Sequence, residues 1–591
     1  MNRFTALICA WALFLPASAA TAFFPLRDVK PGLRGIGKTV FQGSRVEEFQ
    51  VEILGVLEDA SPKQSIILAR LSGGPLANAG VLQGMSGSPV YIDGKLVGAV
   101  ALGFPFSKEA IAGIQPIEQM VANTAPPAAA PTARMNYAQW AKTWSRQFQP
   151  GTLVANASTS PPELRAISTP LAFSGFTESA INFFSTALRN LGFEPQTGVG
   201  SGAPTTRQYV GHVEPGSMIS VELMSGDWNV TADGTVTYID GSKVYAFGHR
   251  FLASGSTDLP FARADVVTLL PNLNSSFKIS TARELVGSLT SDTSTAVAGE
   301  IGRPAHLIPM HIEVRDPIRT NEYDINLIDD RLFTPLLAQM ALFSTIDATE
   351  RSAGAGTMRV RGQVDFDGGV PPLRFNDVFA ADSNSALQAS FNLVVPLAFS
   401  LQAGFQNLRV KNLSFSFDAS EQKRQLEIQD VWLSKTEAKP GDTISVSCLL
   451  TGENGLEVRK TATYRIPIGA PTGRLFFTVS DASMLNFSEL AGLNSSSVPS
   501  ARELVQILNE IRPNDKAYVR VWRQEPSFTL PGADLTDPPP SAALILSKSS
   551  SSLSSGSSIL LSRGAQVAEV PISPGDYAVT GSKTVQVEVK E

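Results

Sequence analysis

Cysteine is almost missing from this sequence: 591 residues contain two, Cys9 and Cys448. Cys9 lies in an apolar N-terminal stretch that reads as a removable leader. One remaining thiol excludes an internal disulfide and a cysteine-based zinc site. Charge is scarce as well, at 17% of residues with a formal net charge of −6. No basic block or aromatic-basic stripe occurs, which argues against nucleic acid as a partner. Beyond the N-terminus no run of about 20 uninterrupted apolar residues appears, so no span is expected after leader removal. No nucleotide-binding, haem or zinc motif is present, and no cofactor is expected. Histidine is limited to four positions: His212, His249, His306 and His311.

What the chain does hold is apolar residues, 43% of the total. That is enough for large cores, and the length implies roughly three or four domains. The first residues, MNRFTALICAWALFLPASAATA, combine Arg3, a short apolar stretch and two Ala-x-Ala patterns. They read as a secretory signal peptide over 1–22, cleaved after Ala19 or Ala22, which places the mature chain in the periplasm or outside the cell. Cys9 lies too early for a lipoprotein cysteine, and Cys448, in the alternating TISVSCLL, reads as a small core residue.

Residues 23–122 are strand-rich, with PVYIDGKLVGAVAL forming a hairpin at Asp93-Gly94. TAPPAAAPTA then opens a connector over 123–204 that contains helices at 135–148 and 177–191, the second with Thr177 as N-cap. Strands return over 205–325, where TVTYIDGSKVYAFGHRF carries a second hairpin at Asp240-Gly241. Its YIDG repeats that of Tyr91–Gly94, as two similar barrels in one chain would. Residues 326–425 read as a buried helix at 331–345 followed by alternating strands over 355–420. Residues 426–591 read as an immunoglobulin-like sandwich, with a helix at 500–512 and a Ser-rich loop at 547–558. The fold class is therefore mainly β: a chymotrypsin-like double barrel split over two segments, then sandwich domains with a few helices.

The chemistry concentrates at GMSGSP, residues 84–89. A serine hydroxyl needs a base and donors for an oxyanion. The glycines beside Ser86 allow a turn in which the amides of Gly84 and Ser86 form an oxyanion hole. A plain Gly/Ser turn before a hairpin is the competing reading. Among the histidines, His306 and His311 alternate with apolar residues in PAHLIPMHIEV and read as strand residues on opposite faces, not as a metal pair. His212 stands at a turn without supporting pattern. His249, in YAFGHRF, is the base candidate.

GMSGSP with VYIDGKLVGAV resembles the serine motif of the SpoIVB peptidase family (serine peptidase family 55), which acts in bacterial sporulation signalling. AFGHRF resembles that family's Gly-His motif. The resemblance implies a chymotrypsin-like double barrel and proteolysis outside the cytoplasm, with Ser86 as nucleophile and His249 as base. Two departures stand out. Histidine follows serine here, an order that exchange of the two barrels tolerates. The family's acid precedes its serine, but ARLSGGPLANAG (69–80) has no Asp or Glu. Asp258 and Asp265, near His249 in sequence, are the alternatives. The family's PDZ domain is not evident.

The expected function is thus a secreted or periplasmic serine endopeptidase acting on protein or peptide substrates. An inactive peptidase-like scaffold with envelope protein partners is the alternative, and an adhesin built from the C-terminal β region is a third reading.

Overall fold

In VEEFQVEIL, Phe49, Val51 and Ile53 are buried while Glu48 and Gln50 are exposed, the period-two pattern of a strand with one wet face. It belongs to a barrel built from β1 (Arg34–Val40), β2 (Val46–Ser61), β3 (Gln64–Ser72), β4 (Pro89–Ile92), β5 (Lys95–Gly103) and β6 (Ile111–Pro116). The strands pair in the order β1-β2-β3-β6-β5-β4, and β4 returns to β1, so the circuit is closed. This computed structural model describes residues 21–104, 107–122, 164–198, 208–252, 254–272, 275–316, 318–349, 356–381, 385–405, 408–490, 493, 498–524, 527–530, 533–536, 539–550, 560–562 and 565–591. The leader up to residue 20, TAPPAAAPTA, the helix expected at 135–148 and most of the Ser-rich stretch lie outside the described residues.

Chain returns at β7 (Arg165–Ala166), an extra strand on β5. Then follow β8 (Thr169–Ser174), α1 (Glu178–Asn190) and β9 (Phe193–Thr197). Helix α1 starts where expected, because the Thr177 side chain accepts the Ala180 amide.

A second closed circuit follows: β10 (Met218–Gly226), β11 (Asn229–Asp240), β12 (Lys243–Ala246), β13 (Gly255–Leu270), β14 (Phe277–Asp292) and β15 (Val297–Ile301). Its order is β10-β11-β12-β15-β14-β13, closing through β13 and β10. Counted within each barrel, the two orders are identical. The YIDG repeat does not mark equivalent positions, however. Tyr91–Gly94 joins the fourth and fifth strands of its barrel, and Tyr238–Gly241 joins the second and third. The turn is also shifted by one residue along the motif: Ile92 pairs with Lys95, leaving Asp93-Gly94 at the turn as expected, but Asp240 pairs with Lys243, leaving Gly241-Ser242 there instead of Asp240-Gly241. The match reflects hairpin chemistry alone.

The second barrel is embedded in a 13-stranded sheet. That sheet continues through β16 (Leu307–Arg315) and β17 (Thr320–Ile328) to β18 (Gly356–Phe366), β19 (Leu373–Ala381) and β20 (Val410–Ser420). Two apolar helices, α2 (Phe333–Thr349) and α3 (Ser385–Gln402), pack into its core. Helix α3 corrects the expectation of uninterrupted alternation over 355–420. It is buried on most sides, so its apolar residues show no one-sided stripe, and Pro396 inside it masks the helix further.

The C-terminal part is a two-sheet β-sandwich. Gln425–Leu433, Thr443–Gly452, Glu457–Arg465 and Ala578–Thr580 form one sheet, and Gly473–Ser480, Ala517–Arg523, Ala565–Ile572 and Ser582–Val589 are the main strands of the other. Cys448 is buried in the core between them. The helix expected at 500–512 runs Ala501–Asn509 with Ser500 as its cap; Leu504, Val505 and Leu508 face inward, whereas Ile507 is exposed.

Candidate active site

The two sequence motifs occupy matching places. Ser86 lies between the third and fourth strands of the first barrel, and His249 lies between the third and fourth strands of the second. The barrels meet face to face at these loops.

The serine loop is stitched to the second barrel along its length. The Gln83 amide donates to Ser276 O at 2.8 Å, and Lys278 N donates to Gln83 O at 3.2 Å. The Thr235 hydroxyl donates to Gly84 O at 2.8 Å, and its amide donates to Ser86 O at 2.8 Å. Thr237 Oγ1 donates to Gly87 O at 2.7 Å. Gly87 itself has φ +96°, and a Cβ there would lie 1.9 Å from Thr235 O and 2.6 Å from Phe247 N. Only glycine permits that approach. Ser86 and His249 are thus each within two residues of one backbone contact between the barrels.

On the histidine side, Phe247 and Gly248 both have positive φ, +67° and +69°. A buried phenylalanine in that region is strained by about 1–3 kcal/mol. Its ring is held over Gly234, where a Cβ would come within 2.4 Å. The double reversal brings the loop against the first barrel, where the Gly248 Cβ position faces Ala99 and Ala101 of β5.

His249 Nδ1 lies 2.7 Å from Arg250 O. A carbonyl can only accept, so Nδ1 carries the proton and Nε2 presents its lone pair. Burial lowers the imidazole pKa below its ordinary 6.5, outweighing the Arg250 carbonyl, so the ring is neutral at pH 7. Nε2 is buried without a hydrogen-bond partner, and so is Ser86 Oγ. The two do not hydrogen-bond to each other. Ser86 is wholly buried. The Gly84 and Ser86 amides donate to no described residue.

The expected acids are elsewhere. Asp258 accepts from Ser288 Oγ at 2.8 Å and from the His306 amide at 2.8 Å. Asp265 is paired with Arg263 and Arg283. The carboxylate that does reach the histidine loop is Asp292, at the end of β14. It accepts the Phe251 amide at 2.8 Å, the Leu252 amide at 2.5 Å and, more weakly, that of Ser254. Asp292 therefore holds the backbone that supplies the Arg250 carbonyl, and the imidazole takes a carbonyl where a carboxylate was expected. The other histidines take no part: His212 is exposed, His306 Nδ1 lies 3.4 Å from Asp329, and His311 Nδ1 lies 2.8 Å from Asp324.

Beneath the serine loop lies a buried polar group that the sequence reading did not include. Lys278 Nζ donates to Thr39 Oγ1 at 2.7 Å, reaching from β14 of the second barrel to β1 of the first. Ser88 Oγ bonds the same hydroxyl at 3.1 Å. Asp233 on β11 accepts from Ser280 Oγ. Burial pushes the Lys278 pKa down to about 7 and that of Asp233 up to about 6, and each charge partly offsets the other's shift. Among the described residues no cluster of His, Cys, Asp and Glu is arranged to hold a metal ion.

Residues 22–121 match the family model described as SpoIVB peptidase S55. The match covers the first barrel and its serine loop, so the resemblance read from GMSGSP and VYIDGKLVGAV holds there; it ends before His249. No curated protein and no solved structure matches the chain. No helix among the described residues is long and apolar enough to cross a membrane.

Proposed function

We propose that this chain is a serine endopeptidase of SpoIVB type working outside the cytoplasm, with Ser86 as nucleophile and His249 as general base. The observation that carries the reading is the pair of buried, unpartnered atoms, Ser86 Oγ and His249 Nε2, on matching loops where the barrels meet. Ser86 Oγ attacks a peptide carbonyl, and Nε2 takes its proton. The Arg250 carbonyl holds the tautomer and stabilises the imidazolium that forms. A neutral carbonyl does this less well than a carboxylate, so turnover is expected to be slow. The Gly84 and Ser86 amides receive the oxyanion. His249 returns the proton to the leaving amine, then activates the water that resolves the acyl-enzyme.

The test is a tagged fluorophosphonate. Wild type should label, and both Ser86→Ala and His249→Ala should lose at least about 100-fold in labelling rate. Equal labelling of all three would sink the assignment. The burial of Ser86 and the missing Ser86–His249 hydrogen bond favour a second reading, an inactive peptidase-like scaffold of the envelope. Folded wild type that takes no label, even with excess reagent, would establish it.

A further inference from the structure

The first barrel closes with six strands and does not need β7. The edge of β5 that β7 occupies is the one that carries the serine loop. Along that edge β4 pairs first, up to Ala99. Then Gly87 N donates to Val100 O at 2.8 Å, and Val100 N donates to Ser88 O at 2.9 Å. Next, in line, comes a segment from far along the chain: the Ile167 amide donates to Ala101 O at 3.0 Å, Ala166 pairs with Leu102, and Arg165 pairs with Gly103, antiparallel. An edge beside a nucleophile loop is where an extended peptide is recognised by strand addition.

The segment also fills a side-chain site. Ile167 is buried, and the Cβ direction of Gly103 meets its Cγ1 at 3.7 Å and Val81 Cγ1 at 3.8 Å. The cleft around it, about 220 Å³, is lined by Val81, Gln83, Gly103, Phe104 and Ser276, so it borders the loop that leads to Ser86. Arg165 and Ala166 are exposed. One buried aliphatic side chain and a short ladder thus mark the segment as a strand added to the edge of the barrel.

We propose that residues 164–168 are an internal competitor: they occupy the peptide-binding edge of β5 until an extended polypeptide with an aliphatic side chain at the Ile167 position displaces them. What happens to the displacing peptide rests on the peptidase reading; the binding does not. Occupation in cis lowers the apparent affinity for peptide by the fraction of open molecules, so loosening the segment should raise it.

The experiment uses the full chain carrying Ser86→Ala, with Ile167 intact, Ile167→Pro or Ile167→Ala. Proline removes the amide that bonds Ala101 O, and alanine removes the side chain but keeps the ladder. The probe is a fluorescein-labelled peptide with the sequence of residues 163–170, and a control peptide has Asp in place of the isoleucine. Both variants should bind the probe about tenfold or more tighter than the Ile167 protein, and the Asp peptide about tenfold more weakly. Equal affinity across the three folded proteins, or no binding to any, would overturn the proposal. Fluorophosphonate labelling on the Ser86 background separates the two readings. Probe binding without labelling retains the groove and rejects the peptidase; labelling without probe binding does the reverse.

Discussion

Replacing Lys278 with methionine should stabilise the barrel pair near neutral pH and destabilise it in alkali. The ammonium is buried, and its pKa falls from 10.5 to about 7. In the unfolded chain the lysine keeps its proton up to about 10.5. Between those two values the unfolded state binds more protons, so native stability rises with pH across this window. At 1.36 kcal/mol per unit, holding Lys278 buried costs about 4 kcal/mol at pH 7. Methionine of similar length removes that cost. It also removes the bond to Thr39 and the cation that offsets Asp233, together worth about 2 kcal/mol. The variant should therefore lead by about 2 kcal/mol at pH 7 and trail by about 1 kcal/mol at pH 10, where about 1 kcal/mol of the lysine's cost remains because its unfolded-state pKa of 10.5 is not yet passed. In a chain of this length the measurement must be local. Urea midpoints from pulse proteolysis, read by mass spectrometry on peptides from β11 and β14, report the barrels directly. A difference between variant and wild type that stays constant from pH 7 to 10 would refute the reasoning, because it would mean that Lys278 is not the desolvated cation described here.

Two further outcomes follow from the site. Gly87→Ala places a methyl group against Thr235 O at a φ of +96°, so it should lower the stability of the barrel contact by roughly 2 kcal/mol or more and abolish Ser86 labelling, with the C-terminal sandwich unaffected by the same proteolysis readout. If Gly87→Ala labels like wild type, the loop does not depend on that approach. The acid limb of the Ser86 labelling rate should have its midpoint below 6.5, because burial keeps His249 neutral to lower pH than a free imidazole; a midpoint above 6.5 would mean that a carboxylate faces the ring.

Much of the architecture was legible because it rests on local chemistry. Thr177 caps its helix as read, and YIDG closes a hairpin both times, although the repeat misled about equivalence. The glycine turns that carry Ser86 and His249 were legible in GMSGSP and YAFGHRF. The partners of those residues were hidden for a definite reason. On β11, Thr231, Asp233, Thr235 and Thr237 alternate with apolar neighbours, which in sequence is the mark of a wet face. In the fold that face is buried, with Thr235 and Thr237 bonded to the first barrel. Polar alternation cannot distinguish water from a second polar surface. Asp292 was out of reach for a different reason: it acts on backbone amides 38 to 41 positions away, and only the β14 register brings it there.

The matched placement of the two loops, one per barrel, also bears on how the chain comes into being. Synthesis runs from the N-terminus, so the barrel holding Ser86 is complete before β10 exists. At typical elongation rates the histidine loop emerges on the order of ten seconds later. During that interval the nascent polypeptide carries Ser86 without the base proposed for it, and Gly87 has no Thr235 to lean on. The arrangement proposed as the active site therefore arises only after both halves have left the ribosome and docked. On the peptidase reading, dividing the site between the barrels keeps a young chain harmless to itself and to its neighbours.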